Sequence, residues 1–103
     1  MSEFLSVLAL YYVCDATAAL RPMSAEEIGA CFSTYDTVKV YFVDGFDLAP
    51  PGSVARIRQM SEAYLAFKAW EDDNAALVAD MRADARELAR LAGPALVAGA
   101  IDG

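Results

Sequence analysis

The chain has 103 residues, 57% of them hydrophobic, with 15 acidic against 8 basic side chains and a net charge of −7. That length accommodates a single domain, residues 1–103, and the apolar content excludes disorder, since it provides ample surface to offset chain entropy. The negative field repels phosphate backbones, which disfavours direct nucleic-acid binding, and attracts basic partners.

The charge is uneven. Residues 1–55 hold seven acids against Arg21 and Lys39, a balance of −5, whereas residues 56–103 hold eight acids and six bases, a balance of −2. An acidic surface also keeps so apolar a domain soluble. The apolar surplus points either to a dry core or to an apolar face reserved for another chain.

Residues 3–20 are apolar nearly all round, with only Ser6, Asp15 and Thr17 as interruptions. The Leu/Ala content favours a helix buried on most sides, although Leu10–Val13 also suits a central strand. Its run Phe4–Cys14, ended by Asp15, is too short to span a bilayer, and the preceding Glu3, where a basic residue belongs, is wrongly charged for a signal peptide. Cys14 also lacks a lipoprotein setting, because bulky Val13 precedes it. Cys14 and Cys31 lack CxxC spacing and sit in apolar surroundings, so the expectation is two buried free thiols in a cytoplasmic protein.

Arg21-Pro22 breaks the first element. Ser24-Ala25-Glu26-Glu27 is a capping box, which places a helix start there. The apolar stripe Ile28, Cys31, Phe32 and Tyr35 continues through Val38 to Phe42 at helical spacing. TVKVYFV also has the β-branched and aromatic content of a strand, so a short strand near residues 38–43 is the alternative. No obvious partner strand exists, which favours helix.

Asp44-Gly45 ends that element, and GFDLAPPGS is a loop stiffened by Pro50-Pro51. Ser53 is the expected N-cap of a helix over Val54–Trp70, with Ile57, Met60, Tyr64 and Phe67 inward, flanked by Ala63 and Trp70. A last helix is expected from Asp72 to Ala92, its dipole favoured by Glu71-Asp72-Asp73. At about 100° per residue, Leu77, Met81, Ala85, Leu88 and Ala92 share one side of it. Asp73, Asp80, Asp84 and Glu87 form a neighbouring stripe, and Arg82, Arg86 and Arg90 a ladder beyond. Gly93-Pro94 stops it, and the apolar tail ALVAGAIDG follows. The fold class is therefore all-α, a compact bundle of about four helices.

Histidine is absent, which removes the commonest general base and metal ligand and rules out a Ser-His-Asp or Cys-His arrangement within the chain. The glycines form no phosphate loop, and Asp44-Gly45-Phe46-Asp47 lacks the spacing of a calcium loop. Asp15 is the sole acid in an apolar stretch and so the one candidate for carboxylate chemistry. No cofactor and no metal are expected.

The sorted charges point instead to recognition. Like charges four residues apart cost a few tenths of a kcal/mol, so a helix selected for stability alone would interleave its signs. The expected function is a non-catalytic interaction module that docks on a larger protein. In its sharpest form it is an inhibitor that mimics nucleic-acid charge in a basic nucleic-acid-binding protein, as small acidic phage inhibitors do, a comparison resting on size and charge. Asp73, Asp80, Asp84 and Glu87, with Trp70 and Leu88, are the candidate contacts. The alternatives are a self-associating subunit of a bacterial or phage assembly and, less favoured, a small carboxylate enzyme. Neither direct nucleic-acid contact nor membrane contact is expected.

Overall fold

A computed structural model describes residues 2–92 as four helices: α1 (Ser2–Leu20), α2 (Ala25–Val40), α3 (Val54–Asp73) and α4 (Ala75–Ala92). The described residues contain no strand. After Val40 the amides of Tyr41, Phe42 and Val43 bond back three residues, to the carbonyls of Val38, Lys39 and Val40. The β-rich composition of this stretch is thus overridden by helix continuation and burial of Val38. A 3-10 turn at Asp44–Phe46 follows, in which Gly45 takes a φ of 62°, the left-handed region that favours glycine. The expected stop at Gly93-Pro94 and the tail beyond it lie outside the described residues.

The helix starts follow their caps. The Ser24 hydroxyl accepts from the Glu27 amide, and the Glu27 carboxylate accepts from the Ser24 amide at 2.9 Å. That carboxylate also receives two guanidinium bonds from Arg21, at 2.6 and 3.2 Å. One side chain therefore caps α2 and ties it to the end of α1. The Ser53 hydroxyl caps α3 by accepting from the Arg56 amide.

The joint between α3 and α4 departs from the expected boundary. Helix α3 runs through Trp70 to Asp73, and Asn74 alone separates it from α4. The Asn74 amide N–H bonds to the carbonyls of Trp70 and Glu71, its side-chain amide also donates to Trp70, and its carbonyl accepts from Val78. It closes one helix and opens the next. Glu71, Asp72 and Asp73 thus lie in the last turn of α3, where the dipole disfavours them, while facing the start of α4, where it favours them.

Helix α1 is the central element, packed mainly along α4 and α2, while α3 packs on α2. Phe4, Leu8, Tyr12, Val13, Val38, Phe67 and Ala85 form the core. The Phe4 ring meets Tyr41, Phe42 and Trp70 edge-on at 5.1–5.6 Å, and Tyr11 stacks on Tyr35 at 4.7 Å. Such pairs contribute about 0.5–1.5 kcal/mol each beyond area burial. The stretch Glu3–Leu20 is long and apolar enough to cross a membrane by length and hydropathy, longer than the run bounded by Asp15. Here it encloses Leu8, Tyr12 and Thr17 within the bundle. It is not buried all round, since Leu10 and Leu20 are exposed.

Cys14 and Cys31 are joined in a disulfide between α1 and α2, with their Cα atoms 5.8 Å apart. This overturns the expectation of free thiols. Equivalent apolar positions on two packed helices bring the sulfurs together, a proximity that spacing along the chain does not reveal.

Reduction of Cys14–Cys31 should lower stability by about 3 kcal/mol, because the bridge links positions 17 residues apart. Urea unfolding followed by Trp70 fluorescence, with and without reductant, measures this, and coincident curves would refute it. The Arg21 guanidinium and the Ser24 amide hold the Glu27 carboxyl at about 2, against an ordinary value of 4.5. Its stabilisation is full above pH 4.5 and is lost as pH falls toward 2, so Glu27→Gln should flatten that part of the stability profile.

Candidate functional site

The most tightly organised polar cluster lies where α1, α3 and α4 meet. Glu71 is buried on the same face of α3 as Ala63 and Phe67, one turn apart in succession. It accepts a 2.6 Å bond from the Tyr12 hydroxyl, a 2.8 Å bond from Lys68 and a longer 3.5 Å contact from Arg82. Arg82 lies over the Tyr12 ring, 4.1 Å from its centroid, and its other terminal nitrogen reaches Asp15 at 3.3 Å. Burial pushes the Glu71 carboxyl up, but the bonds from Lys68 and Tyr12 outweigh it and leave the group below the usual carboxylate value. Burial and donation to Glu71 raise the Tyr12 hydroxyl well above its ordinary value. A neutral phenol, an ionised acid and a paired guanidinium form a satisfied network that locks three helices together.

This arrangement differs from the carboxylate expected to matter. Asp15 is exposed and paired with Arg82, and the buried acid is Glu71. The four-residue spacing of Ala63, Phe67 and Glu71 is the sequence signal that identifies it. Among the described residues, no group of three or more His, Cys, Asp or Glu side chains is arranged to hold a metal ion.

The network also sets the rotation of α4. Arg82 turns inward, and small Ala85 and Ala89 are the side chains buried against the bundle, with Val78 and Met81 half-buried. Leu77 and Leu88, expected on the buried side, are instead 40% and 48% exposed, and Leu91 is 71% exposed. The side chain of Ala92 lies outside the described residues. A similar turn of α3 leaves Ile57 63% exposed and Tyr64 exposed, while Ala63 and Phe67 are buried.

The sequence-derived contact residues therefore divide. Asp80, Asp84 and Glu87 are all exposed on α4, alongside Leu88. Asp73 is exposed but belongs to the end of α3, across the Asn74 joint. Trp70 is half-buried with its ring against Phe4, so it is a core residue at the edge of the bundle. Arg90 donates to both Glu87 oxygens, at 2.5 and 2.6 Å, which offsets one charge of the acidic stripe.

Two grooves flank α1. One, of about 500 Å³, lies between α1 and α4 and includes Tyr12, Ala16, Ala19, Arg82, Arg86 and Arg90 in its lining. The other, of about 260 Å³, lies between α1 and α2, where Tyr11, Ile28 and Phe32 surround the disulfide. Fold and site together define a small acidic all-α domain with an internal polar network. No protein family, curated protein or solved structure matches the chain.

Glu71→Ala should destabilise the protein by about 3 kcal/mol, because it strips the Tyr12 hydroxyl of its acceptor and leaves Arg82 only partly paired. Glu71→Gln retains an acceptor for Tyr12 and should cost about 1 kcal/mol. Urea midpoints of the two variants decide the matter, and equal losses would show that the carboxylate charge, which the isosteric glutamine also lacks, rather than the bond from Tyr12 sets the stability.

Proposed function

We propose that this domain is a non-catalytic protein–protein interaction module that docks through the outward face of α4 on a basic partner protein. The observation that carries the reading is the composition of that face. Asp80, Asp84 and Glu87 project beside exposed Leu77, Leu88 and Leu91. A bare acidic stripe is consistent with a solvated helix, and a bare leucine stripe with a buried one. The combination suits a groove that is apolar at its centre and lined by Lys and Arg at its rim.

The sharper form, mimicry of a nucleic-acid backbone, is supported by spacing. One helical turn separates Asp80 from Asp84, and a rise of 1.5 Å per residue puts successive acids of the stripe about 4.5–6 Å apart along the axis. Phosphates along a strand repeat on a comparable scale. The partner class would then be a nucleic-acid-binding protein. Self-association is a second reading, favoured by the outward stripe of α3, where Val54, Ile57 and Leu65 are exposed around Ser61.

The test is affinity capture from bacterial lysate with the parent and with Asp80→Lys/Asp84→Lys/Glu87→Lys, at low and high salt, read by mass spectrometry. The expected result is one basic nucleic-acid-binding complex on the parent at low salt, lost at high salt and absent from the variant. Equal capture by the folded variant overturns the reading. Recovery of the chain alone at both salts, broken by Leu65→Asp, supports self-association instead.

A further inference from the structure

Only 8 basic side chains occur in this chain, and three of them line one groove. Arg82, Arg86 and Arg90 stand four residues apart along α4, so they project on one flank at successive turns. The groove they border runs between α4 and the C-terminal half of α1. Ala16, Ala19, Leu20 and Ala83 supply its apolar lining, and Tyr12 lies beside them. Its volume of about 500 Å³ falls within the range of about 300–1,000 Å³ common for small-molecule sites.

The charges of this lining pair off in a specific way. Asp15 and Glu87 are its acids. Asp15 accepts from Arg82, whose second terminal nitrogen goes to Glu71. Glu87 accepts both of its bonds from one nitrogen of Arg90, Nη2. Arg86 has no hydrogen-bond or ion-pair partner among the described residues and is exposed. Three cations against two acids leave one uncompensated guanidinium, in a protein whose overall field is strongly negative.

We infer that the α1–α4 groove binds a small amphipathic monoanion, with its head on Arg86 and its apolar body over Ala16, Ala19 and Leu20. A guanidinium offers a planar fork that matches carboxylate and phosphate oxygens alike. The Nη1 group of Arg90 lies one turn further on and supplies a second donor. Arg82, fixed by Asp15, Glu71 and the Tyr12 ring, closes the inner end as a neutralised wall. The alanine lining admits a short aliphatic or aromatic body where larger side chains would fill the space. The surrounding acidic field restricts the ligand to a single charge, since a second negative charge meets Asp15 and Glu87. This site borders the proposed docking face and shares Glu87 with it, but Arg86 and the alanine lining do not belong to that face.

Titration of the isotope-labelled full chain at pH 6 with octanoate, methyl phenyl phosphate (a monoanionic diester) and inorganic phosphate, followed by NMR, tests the inference. Saturable shifts confined to Tyr12, Ala16, Ala19, Leu20 and Ala83 are expected with octanoate or methyl phenyl phosphate, and the stronger of the two identifies the head group. Inorganic phosphate should bind at least about tenfold more weakly, since it lacks an apolar body. Arg86→Gln and the groove-filling Ala19→Leu, both at exposed positions, should each weaken binding by about tenfold or more. Dispersed shifts, affinity unchanged in Arg86→Gln, or inorganic phosphate binding as tightly as the amphiphiles would overturn the proposal.

Discussion

The bond from the Tyr12 hydroxyl to the buried Glu71 carboxylate is the constraint on which the arrangement of the bundle depends. An ionised acid in this position is tolerable only with donors around it, and Tyr12, Lys68 and Arg82 come from α1, α3 and α4. Satisfying Glu71 fixes the heights and rotations of three helices at once. Arg82 must point inward to reach it, and on the following turns the side chains that α4 buries are the small Ala85 and Ala89. The exposure of Leu77, Leu88 and Leu91 follows from the same rotation. So does the position of Arg86 and Arg90 over the open end of the α1–α4 groove.

Local signals in the sequence translate directly into structure here. The capping box at Ser24–Glu27 and the cap at Ser53 act through atoms three residues apart, so their geometry is set before any tertiary contact forms. Helix type was equally legible, and the β-rich Val38–Val43 stretch forms no strand: α2 runs to Val40 and turns follow it. Rotation was not. In α4 an apolar arc through Leu77, Met81, Ala85 and Leu88 competes with one through Val78, Met81, Ala85 and Ala89, only a fraction of a turn away. Hydrophobicity favours the leucines, whereas the close approach of α4 to α1 favours the alanines, and the buried network decides. Counting apolar residues cannot register a contact whose partners are 59 residues apart.

The candidate site divides on the same line. Asp80, Asp84 and Glu87 were legible because a solvent-facing stripe depends on helical period alone. Glu71 was read as one of three acids opening α4, since Asn74 gives no sign in isolation that it ends α3. Trp70 looked available for contact because aromatic residues are enriched at interfaces, yet Phe4 holds it at the edge of the core. The cysteines show the limit of spacing arguments. Cys14 and Cys31 lie on different helices, and their pairing depends on how α1 meets α2. Disulfides persist in oxidising compartments and are reduced in the cytosol, so an intact Cys14–Cys31 bridge runs against the cytoplasmic residence expected from free thiols.

The apolar surplus of this chain acquires a physical meaning from these rotations. Three helices of 16–20 residues gathered about the central α1 can bury only one stripe each, and here those stripes include Glu71, Arg82, Ala85 and Ala89. Leucine, isoleucine and valine displaced from the interior then populate the outside, as Val54, Ile57 and Leu65 do on α3 and Leu77, Leu88 and Leu91 on α4. Exposed apolar side chains in such number carry a free-energy cost of about 25 cal/mol for each Å² left in water. Interleaved acids reduce the tendency to aggregate without removing that cost. A partner that covers either face recovers it, whereas truncating those leucines to alanine would remove it with little loss of core. Large apolar side chains at positions the described fold does not bury are therefore the main physical support for the proposed docking role, independent of the sign of the charge beside them.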